Sequence, residues 1–529
     1  MTSRPPSPPA RPPEARRLRV FGVVQGVGFR PSVYRLAVRF GFRGWVKNVG
    51  RGVEIHVEGD DPGDLDRFPR VLTAELPPLA RVERLEVRKA KAQGLRAFRV
   101  RRSGAGESFV FISPDISVCE PCRADIRDPK DRRFRYPFTN CTDCGPRYTI
   151  VRSLPYDRDR TTMAGFPMCP DCRREYGDPS DRRYHAQPVA CPACGPKVSL
   201  RDARSGRALE GSVEAAARLV RAGKILAVKG LGGFHLVCDP FHPGAVARLR
   251  RTKDRDRKPL ALMAKDLAVV RLYARFSDEE KKLLQSPRRP IVLLRKSQDL
   301  PGIAPHLAEV GVMLPYTPLH DLLLERLDLV VATSSNPKDA PIIKEDDAAL
   351  GRLADVVLTH DRPIEMRADD SVAKVVRGKT LFVRRARGYV PYPQRVPEAL
   401  AVEPHILALG AELKDTISVY KNGYVVTSQF LGDLDDYRNK LYFEETVRHL
   451  VNLFAVSPAA VVSDLHPQFQ TTRFAEKMGL PHFRVQHHHA HVLAACLEHG
   501  LPPEAKVLGI SWDGYGYGAD GSAWGGEFL

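Results

Sequence analysis

Eight of the ten cysteines lie between Cys119 and Cys194, in four Cys-x-x-Cys pairs whose spacing repeats. Eighteen residues separate Cys119/Cys122 from Cys141/Cys144, twenty-four lead to Cys169/Cys172, and another eighteen precede Cys191/Cys194. Zn²⁺ prefers a tetrahedral thiolate shell, and a Cys-x-x-Cys knuckle supplies two sulfurs from one tight turn. Eight thiolates make two closed Cys₄ sites with no open position for catalysis. The two zinc ions expected here are therefore structural, each holding a segment too short to build its own core. Disulfides and redox pairs are the alternatives. Disulfides need an oxidising compartment, and the basic start MTSRPPSPPARPPEARR has no apolar signal-peptide core. Spacing alone does not decide which knuckles share an ion; pairing neighbours along the chain is the simpler arrangement.

The cysteine block is an internal repeat. Phe134-Arg135-Tyr136-Pro137-Phe138-Thr139-Asn140 precedes the second knuckle of one copy, and Arg183-Tyr184-His185-Ala186-Gln187-Pro188-Val189-Ala190 takes that place in the other. Each copy has an Asp-Pro, at Asp128 and Asp178, followed by Asp-Arg-Arg, and each ends Cys-Gly-Pro. Glycine after a knuckle supplies the positive φ such a turn needs.

At 529 residues the chain has the length of three or four domains. No run of eighteen apolar residues occurs, so no membrane span is expected. Cys238 and Cys496 read as buried thiols, and the compartment as reducing and cytoplasmic. The net charge of +19 raises the question of nucleic acid, but it is spread along the chain rather than gathered in a stripe. A Pro- and Arg-rich tail over 1–17 is expected to be disordered. The rest divides into a compact αβ domain over 18–103, the cysteine block over 108–200, a third section over 208–396 and a fourth over 402–529.

Near the N-terminus, Leu18–Val24 reads as a strand and Pro31–Ala37 as a helix. Between them lie Gln25, Gly26, Val27, Gly28, Phe29 and Arg30. A strand, a glycine-bearing turn and a helix N-terminus hold an anion on backbone N–H groups, and an arginine can fork onto the same phosphate. Gly44-Trp45-Val46-Lys47-Asn48 follows. This arrangement resembles acylphosphatase. The resemblance implies that Arg30 binds the phosphoryl group and Asn48 orients the attacking water, both acting by position and charge.

In the third section, Lys229-Gly230-Leu231-Gly232-Gly233-Phe234-His235 follows a buried strand. Lys253, Arg255 and Lys258 come next, then Ser334 and Asn336. Basic side chains with a Ser-x-Asn turn could cradle a triphosphate, although such clusters are commonly solvated faces. The set resembles the YrdC/Sua5 family, which implies Mg-ATP and a carbamoyl-type adenylate. His360-Asp361-Arg362-Pro363-Ile364, Arg367, Asp369-Asp370-Ser371-Val372 and Arg384–Tyr389 resemble its HypF branch, with Ser335 where that branch usually has glycine.

In the fourth section, His487-His488-His489-Ala490-His491 opens an apolar helical run. His487 and His491 are four apart and share a helix face, a spacing suited to two imidazole ligands; His488 and His489 point elsewhere. Asp513, in an Asp-Gly turn, is a candidate third ligand or phosphate-loop residue. Gly410–Lys414, Gly432–Leu434, Asp464–Pro467 and Val485–His491 resemble the Kae1/TsaD branch of actin-like proteins in its HypF form. Asp415 stands where asparagine is usual and Phe430 where histidine is usual.

The domain order matches the HypF family alone. The expected fold is multidomain α/β and α+β: a ferredoxin-like acylphosphatase domain, two Cys₄ units, a YrdC-like α/β domain and the first part of an actin-like domain. The family's last domain runs on beyond Leu529, so the final-transfer site is expected to be incomplete. The resemblance implies hydrolysis of carbamoyl phosphate, formation of carbamoyl-AMP from ATP, and carbamoyl transfer to a cysteine of HypE on the way to the cyanide ligands of [NiFe]-hydrogenase. It also implies a further divalent metal, Zn or Fe, at His487, His491 and Asp513. Carbamate decomposes in water, so an enclosed path between sites is expected. Two alternatives remain. One is a tRNA threonylcarbamoyl-type transferase, which leaves the acylphosphatase domain without a task. The other is a zinc-organised nucleic-acid-binding protein using Phe134, Tyr136, Phe138 and Tyr148 to stack bases.

Overall fold

Residues 14–24, 27–49, 52–101, 111–255, 257–346 and 348–529 are described by a computed structural model. The chain divides into two compact units: the residues up to Ile112 with Arg173–Ala186, and Ser113–Cys172 with Gln187–Leu529.

In the first unit, alternating residues build β1 (Glu14–Val23), with Ala15, Leu18 and Val20 buried. β2 (Arg43–Val49), β3 (Gly52–Gly59), β4 (Arg81–Ala90) and β5 (Phe98–Val100) complete a sheet of order β4-β1-β3-β2-β5. Helices Phe29–Arg39 and Pro62–Ala74 bury Val33, Leu36, Leu65 and Phe68. The expected disordered tail over 1–17 is too long. Glu14–Arg17 pair with Gly59–His56, and Arg16 reaches Asp66 at 3.1 Å. These polar residues are held by the ladder and an ion pair, which hydropathy does not register. Residues 1–13 lie outside the described residues.

In the second unit a mixed sheet is built from β6 (Val198–Asp202), β7 (Ala208–Leu209), β8 (Leu226–Lys229), β9 (Phe234–Cys238), β10 (Leu262–Ala264) and β11 (Ala274–Arg275). β12 (Ile291–Lys296), β13 (Glu309–Met313), β14 (Leu329–Ser334), β15 (Val356–His360), β16 (Val372–Val376) and β17 (Lys379–Arg384) complete it. The order is β17-β16-β12-β13-β10-β14-β9-β8-β15-β6-β7, with β11 beside β12. Apolar residues pack on both faces: helix Pro243–Thr252 over one, helices Val213–Arg221 and Pro318–Leu324 over the other. The sheet begins ten residues before the expected boundary at 208, because β6 pairs with β15 and carries the chain out of the cysteine block.

β18 (Gln394–Arg395), β19 (Ile406–Ala408), β20 (Ser418–Lys421), β21 (Tyr424–Thr427), β22 (Ala460–Asp464) and β23 (His482–Val485) form a second sheet, of order β18-β21-β20-β19-β22-β23. β18 joins it although the sequence boundary assigned residues up to 396 to the preceding section. β24 (Ile510–Tyr517) pairs with β25 (Ala523–Phe528). Among the described residues no helix is long and apolar enough to cross a membrane. Cys238 is buried as expected, but Cys496 is partly exposed because its helix face is only half covered.

Candidate functional site

Four groups of chemistry-bearing side chains stand out, and the cysteines are the most sharply defined. Cys119, Cys122, Cys141 and Cys144 converge, as do Cys169, Cys172, Cys191 and Cys194. The Cys119–Cys141 and Cys122–Cys144 sulfurs are each 3.6 Å apart, and Cys141–Cys144 are 3.8 Å apart. The second set repeats these spacings at 3.8, 3.6 and 3.8 Å. A tetrahedron with Zn–S bonds of about 2.3 Å has edges of about 3.8 Å, so both sets fit zinc. Knuckles pair with their neighbours along the chain. Arg132 of the first repeat donates to Cys172 Sγ of the second at 2.8 Å, and buried Arg133 donates to Ala190 O at 2.8 Å. Each Asp-Arg-Arg was visible as a repeated motif, but its reach to the other copy was not. Tyr136, Phe138 and Tyr148 are buried and Phe134 is exposed, so three of the four aromatics offered for base stacking are core.

In the first unit, helix Phe29–Arg39 starts after Gly28, whose φ of 77° is left-handed. Arg30 therefore sits in the first helical turn, and its chain neighbours Phe29 and Val27 are buried. Gln25 and Gly26 lie outside the described residues. Asn48 is near the end of β2, and among the described residues its buried Oδ1 has no hydrogen-bond partner. Tyr184, from the Arg173–Ala186 segment of this unit, feels the Arg30 charge: burial raises its phenol pKa, and Arg30 pulls the other way. Nothing in the sequence pointed to Tyr184.

Lys253 follows helix Pro243–Thr252 and is fully buried. Its Nζ donates to the carbonyls of Ser334 and Asn336, and to Asn336 Oδ1 at 2.9 Å. Ser334 Oγ donates to the same Oδ1 at 2.7 Å, and Asn336 Nδ2 donates to Ala340 O at 2.8 Å. Burial, then the nearby Arg255 guanidinium, hold the Lys253 pKa well below its ordinary value. Arg255 reaches Thr333 Oγ1 at 3.3 Å, while Lys258 turns outward to Asp339 at 3.5 Å. Thus Lys253, Arg255, Ser334 and Asn336 form one cluster, and Lys258 lies at its exposed rim. Ser335, in place of the usual glycine, needs no left-handed backbone.

In the last region, His487 and His491 project from one face of helix His487–Glu498. Asp513 Oδ2 lies 2.9 Å from His487 Nε2 and 3.1 Å from His491 Nε2, and the two imidazole nitrogens are 3.2 Å apart. Two imidazoles and a carboxylate so close suit a divalent cation such as Zn or Fe, with positions left for other ligands. Asp464, at the end of β22, contacts His487 Nδ1 at 2.6 Å. This bond, more than any other contact, raises the His487 pKa. His488, turned away from the pair by its helix position, is buried. The sequence contained Asp464 in a matching motif without indicating its role. Asp415, where asparagine is usual, is buried, and desolvation raises its pKa well above the ordinary carboxyl value. Phe430 lies beneath the Arg384 guanidinium at 4.8 Å.

Family models cover most of these regions. The acylphosphatase model matches 16–100, the HypF finger 118–151 and 168–201, the model described as telomere recombination (Sua5, YciO and YrdC) 218–386, and the HypF Kae1-like domain 401–498. Carbamoyltransferase HypF of Synechocystis sp. is 48% identical over 522 residues, covering 97% of this chain and 67% of the relative. The chain belongs to the HypF family of carbamoyltransferases. HypF of Rhizobium leguminosarum bv. viciae is 46% identical, with 97% of this chain and 67% of that protein covered. The crystal structure of full-length HypF in the phosphate- and nucleotide-bound form superposes with a TM-score of 0.89 at 43% identity, covering 98% of this chain and 69% of that one. The HypF structure of T. kodakarensis gives 0.87 at 42% identity, with 98% and 68% covered. The chain thus spans about two thirds of the length of these HypF relatives.

Proposed function

We propose that this chain turns carbamoyl phosphate into an activated carbamoyl group for a protein thiol. Water attacks carbamoyl phosphate at the Arg30 and Asn48 site, giving carbamate and phosphate. Arg30 forks onto the phosphoryl oxygens while Asn48 Oδ1 accepts a hydrogen bond from the attacking water. Carbamate oxygen then attacks the α-phosphate of Mg-ATP, forming carbamoyl-AMP and releasing pyrophosphate. Lys253, Arg255, Ser334 and Asn336 position the nucleotide, with Lys258 at the rim. The acceptor thiol, the C-terminal cysteine of HypE, takes the carbamoyl group and releases AMP and a proton. HypE thereby enters cyanide-ligand synthesis for [NiFe]-hydrogenase. A divalent metal held by His487, His491 and Asp513 would supply positive charge for phosphate oxygens. Eight thiols arranged for zinc support a reducing, cytoplasmic setting.

One observation carries the reading: 48% identity to a carbamoyltransferase HypF over 97% of the chain. The test is pyrophosphate release from ATP with carbamoyl phosphate as the sole co-substrate. Release is expected, and its loss in Arg30→Ala while free carbamate remains usable would tie the first site to the second. Release that needs bicarbonate and threonine instead would move the chain to tRNA threonylcarbamoylation.

A further inference from the structure

Helices Phe29–Arg39 and Pro62–Ala74 cover one face of the five-stranded sheet in the first unit, where Leu18, Val20, Val53 and Ile55 are buried. Alternation turns Arg17 and Arg19 of β1 to the other face. In β4, Arg88 stands directly opposite Arg17, and Glu86 opposite Arg19. Like charges facing each other across a strand pair are destabilising. Glu54 of β3 also stands opposite Arg19, with its side chain only 6% exposed. It is shared by Arg17 at 3.9 Å, Arg19 at 3.5 Å and Lys47 at 3.2 Å. Glu86 is likewise divided, between Arg84 at 3.4 Å and Arg88 at 3.6 Å.

These side chains floor a cleft of about 520 Å³, bounded on one side by the loop after β4. Lys89 and Lys91 line it from that side, and among the described residues neither forms an ion pair. The loop is tied down from beneath. Buried Glu58 accepts from Gln93 N at 2.5 Å and Leu95 N at 3.1 Å, and lies 2.8 Å from His56 Nε2. Gln93 Oε1 in turn accepts from Trp45 Nε1 at 3.3 Å. The Arg17 guanidinium lies 5.3 Å from the Trp45 ring centroid, and among the described residues its buried Nε has no hydrogen-bond partner. A buried donor is costly until an acceptor meets it. The cleft sets five cations, Arg17, Arg19, Arg88, Lys89 and Lys91, against two carboxylates, an excess of three.

We propose that this cleft binds a compact polyvalent phosphate anion, of the di- or triphosphate class. The volume lies within the range of about 300–1,000 Å³ usual for small-ligand sites. Arg17 and Arg88 are one strand spacing apart, about 4.8 Å, and Arg19 is two residues from Arg17, about 7 Å. A polyphosphate packs all its charge into a span of that size, whereas an acidic peptide spreads the same charge over several residues of about 3.4 Å each. The arginine forks take phosphate oxygens in pairs, and Arg17 Nε gains its missing acceptor. Lys89 and Lys91 neutralise the remaining charge from the rim. The cleft is separate from the Arg30 and Asn48 site. Arg17 to Val23, where β1 hands over to the turn before Arg30, is six residues, about 20 Å of strand. Asn48 has the parity of buried Val46, on the helix face. This inference does not rest on the function proposed above.

The probe is inorganic tripolyphosphate, titrated calorimetrically into the full chain at low ionic strength, with pyrophosphate, orthophosphate and ATP as further arms. A saturable event is expected to persist in Lys253→Met and in Arg30→Ala, which separates it from the two sites already described. Affinity should fall from tripolyphosphate to pyrophosphate to orthophosphate, and should weaken as salt screens these near-surface cations. Arg88→Glu and Lys91→Glu should each weaken binding at least tenfold. Arg326→Glu, the same charge change at an exposed position of the second unit, should not. Arg88→Gln should also bind weakly yet unfold no earlier than the parent, because it relieves the charge facing Arg17. Binding of ATP in Lys253→Met that is lost on adding Lys91→Glu identifies a nucleotide as the source of the phosphates; binding of the inorganic anions alone identifies free polyphosphate. Absence of saturable binding would overturn the proposal, as would its loss in folded Lys253→Met or Arg30→Ala, or equal weakening by Arg326→Glu. Equally tight binding of a hexaglutamate peptide would also overturn it, making this face a contact for acidic protein. Failure of carbamoyl-phosphate-driven pyrophosphate release with tripolyphosphate binding intact counts against the proposed function and leaves the phosphate cleft standing.

Discussion

Asp464 Oδ2 sits 2.6 Å from His487 Nδ1, while His487 Nε2 points at Asp513. The carboxylate accepts from Nδ1–H and so leaves the Nε2 lone pair directed at the point where His491 and Asp513 meet. Asp464 is itself buried and held by the backbone N–H of His466 at 2.9 Å. A carboxylate behind a ligating imidazole fixes its tautomer and raises its basicity. Asp464→Asn and Asp464→Ala should therefore weaken divalent-metal binding about 10- to 100-fold, read by competition with a chelating dye. His491→Ala should weaken it further. Unchanged affinity in Asp464→Ala would make that carboxylate purely a packing group.

Asp415 is a buried acid in a position where a neutral amide would serve. Desolvation is the largest cause of its raised pKa, and the nearby backbone of Thr416 and Ala411 opposes it. In the folded chain it therefore keeps its proton to higher pH than in the unfolded chain. Folding then loses stability as pH rises from the unfolded carboxyl value, about 3.9, towards the folded one. Asp415→Asn removes that loss. The variant should gain on the parent across this window, by about 1.4 kcal/mol for each tenfold difference in proton affinity between the folded and unfolded carboxyl. Thermal unfolding at a series of pH values checks this; a difference that does not grow with pH would show the carboxylate to be compensated.

Some of this was legible in the sequence and some was not, for identifiable reasons. Cysteine spacing exposed both Cys₄ sets because each ligand pair is local. The i, i+4 spacing of His487 and His491 placed two ligands on one helix face before any fold was known. Asp464 stayed hidden because its partner is twenty-three residues away on another element. Glu14–Arg17 read as part of a tail because their charges disguise the alternation that β1 needs.

Each Cys₄ set should account for one zinc. Metal analysis of the purified chain is expected to give two zinc ions, and Cys144→Ser to give about one. Cys144 is fully buried, and its loss strands three thiolates in a small core. Unfolding of that variant should become broader as well as earlier. The second set should keep its ion, because Arg132 and Arg133 approach it from the first repeat without depending on Cys144 itself. Loss of both ions would mean that the two repeats fold as one cooperative piece.

Lys253 offers the cleanest separation of the two early steps. Its ammonium holds Ser334 and Asn336 together, and it belongs to a different compact unit from Arg30. Lys253→Met keeps the length of the side chain and avoids leaving a buried charge. It does, however, take a donor from the Ser334 and Asn336 carbonyls, while Asn336 Oδ1 keeps Ser334 Oγ, at a cost of about 1–3 kcal/mol for each acceptor left unpaired. Phosphate release from carbamoyl phosphate should continue at the parent rate in this variant. Pyrophosphate release and nucleotide binding should fall by at least a hundredfold, because the Ser334–Asn336 turn loses the side chain that holds it in place. Arg30→Ala should give the reverse pattern, with nucleotide binding intact and phosphate release lost. If phosphate release also fails in Lys253→Met, while its unfolding temperature stays near that of the parent, then the two sites are coupled and hydrolysis waits on nucleotide.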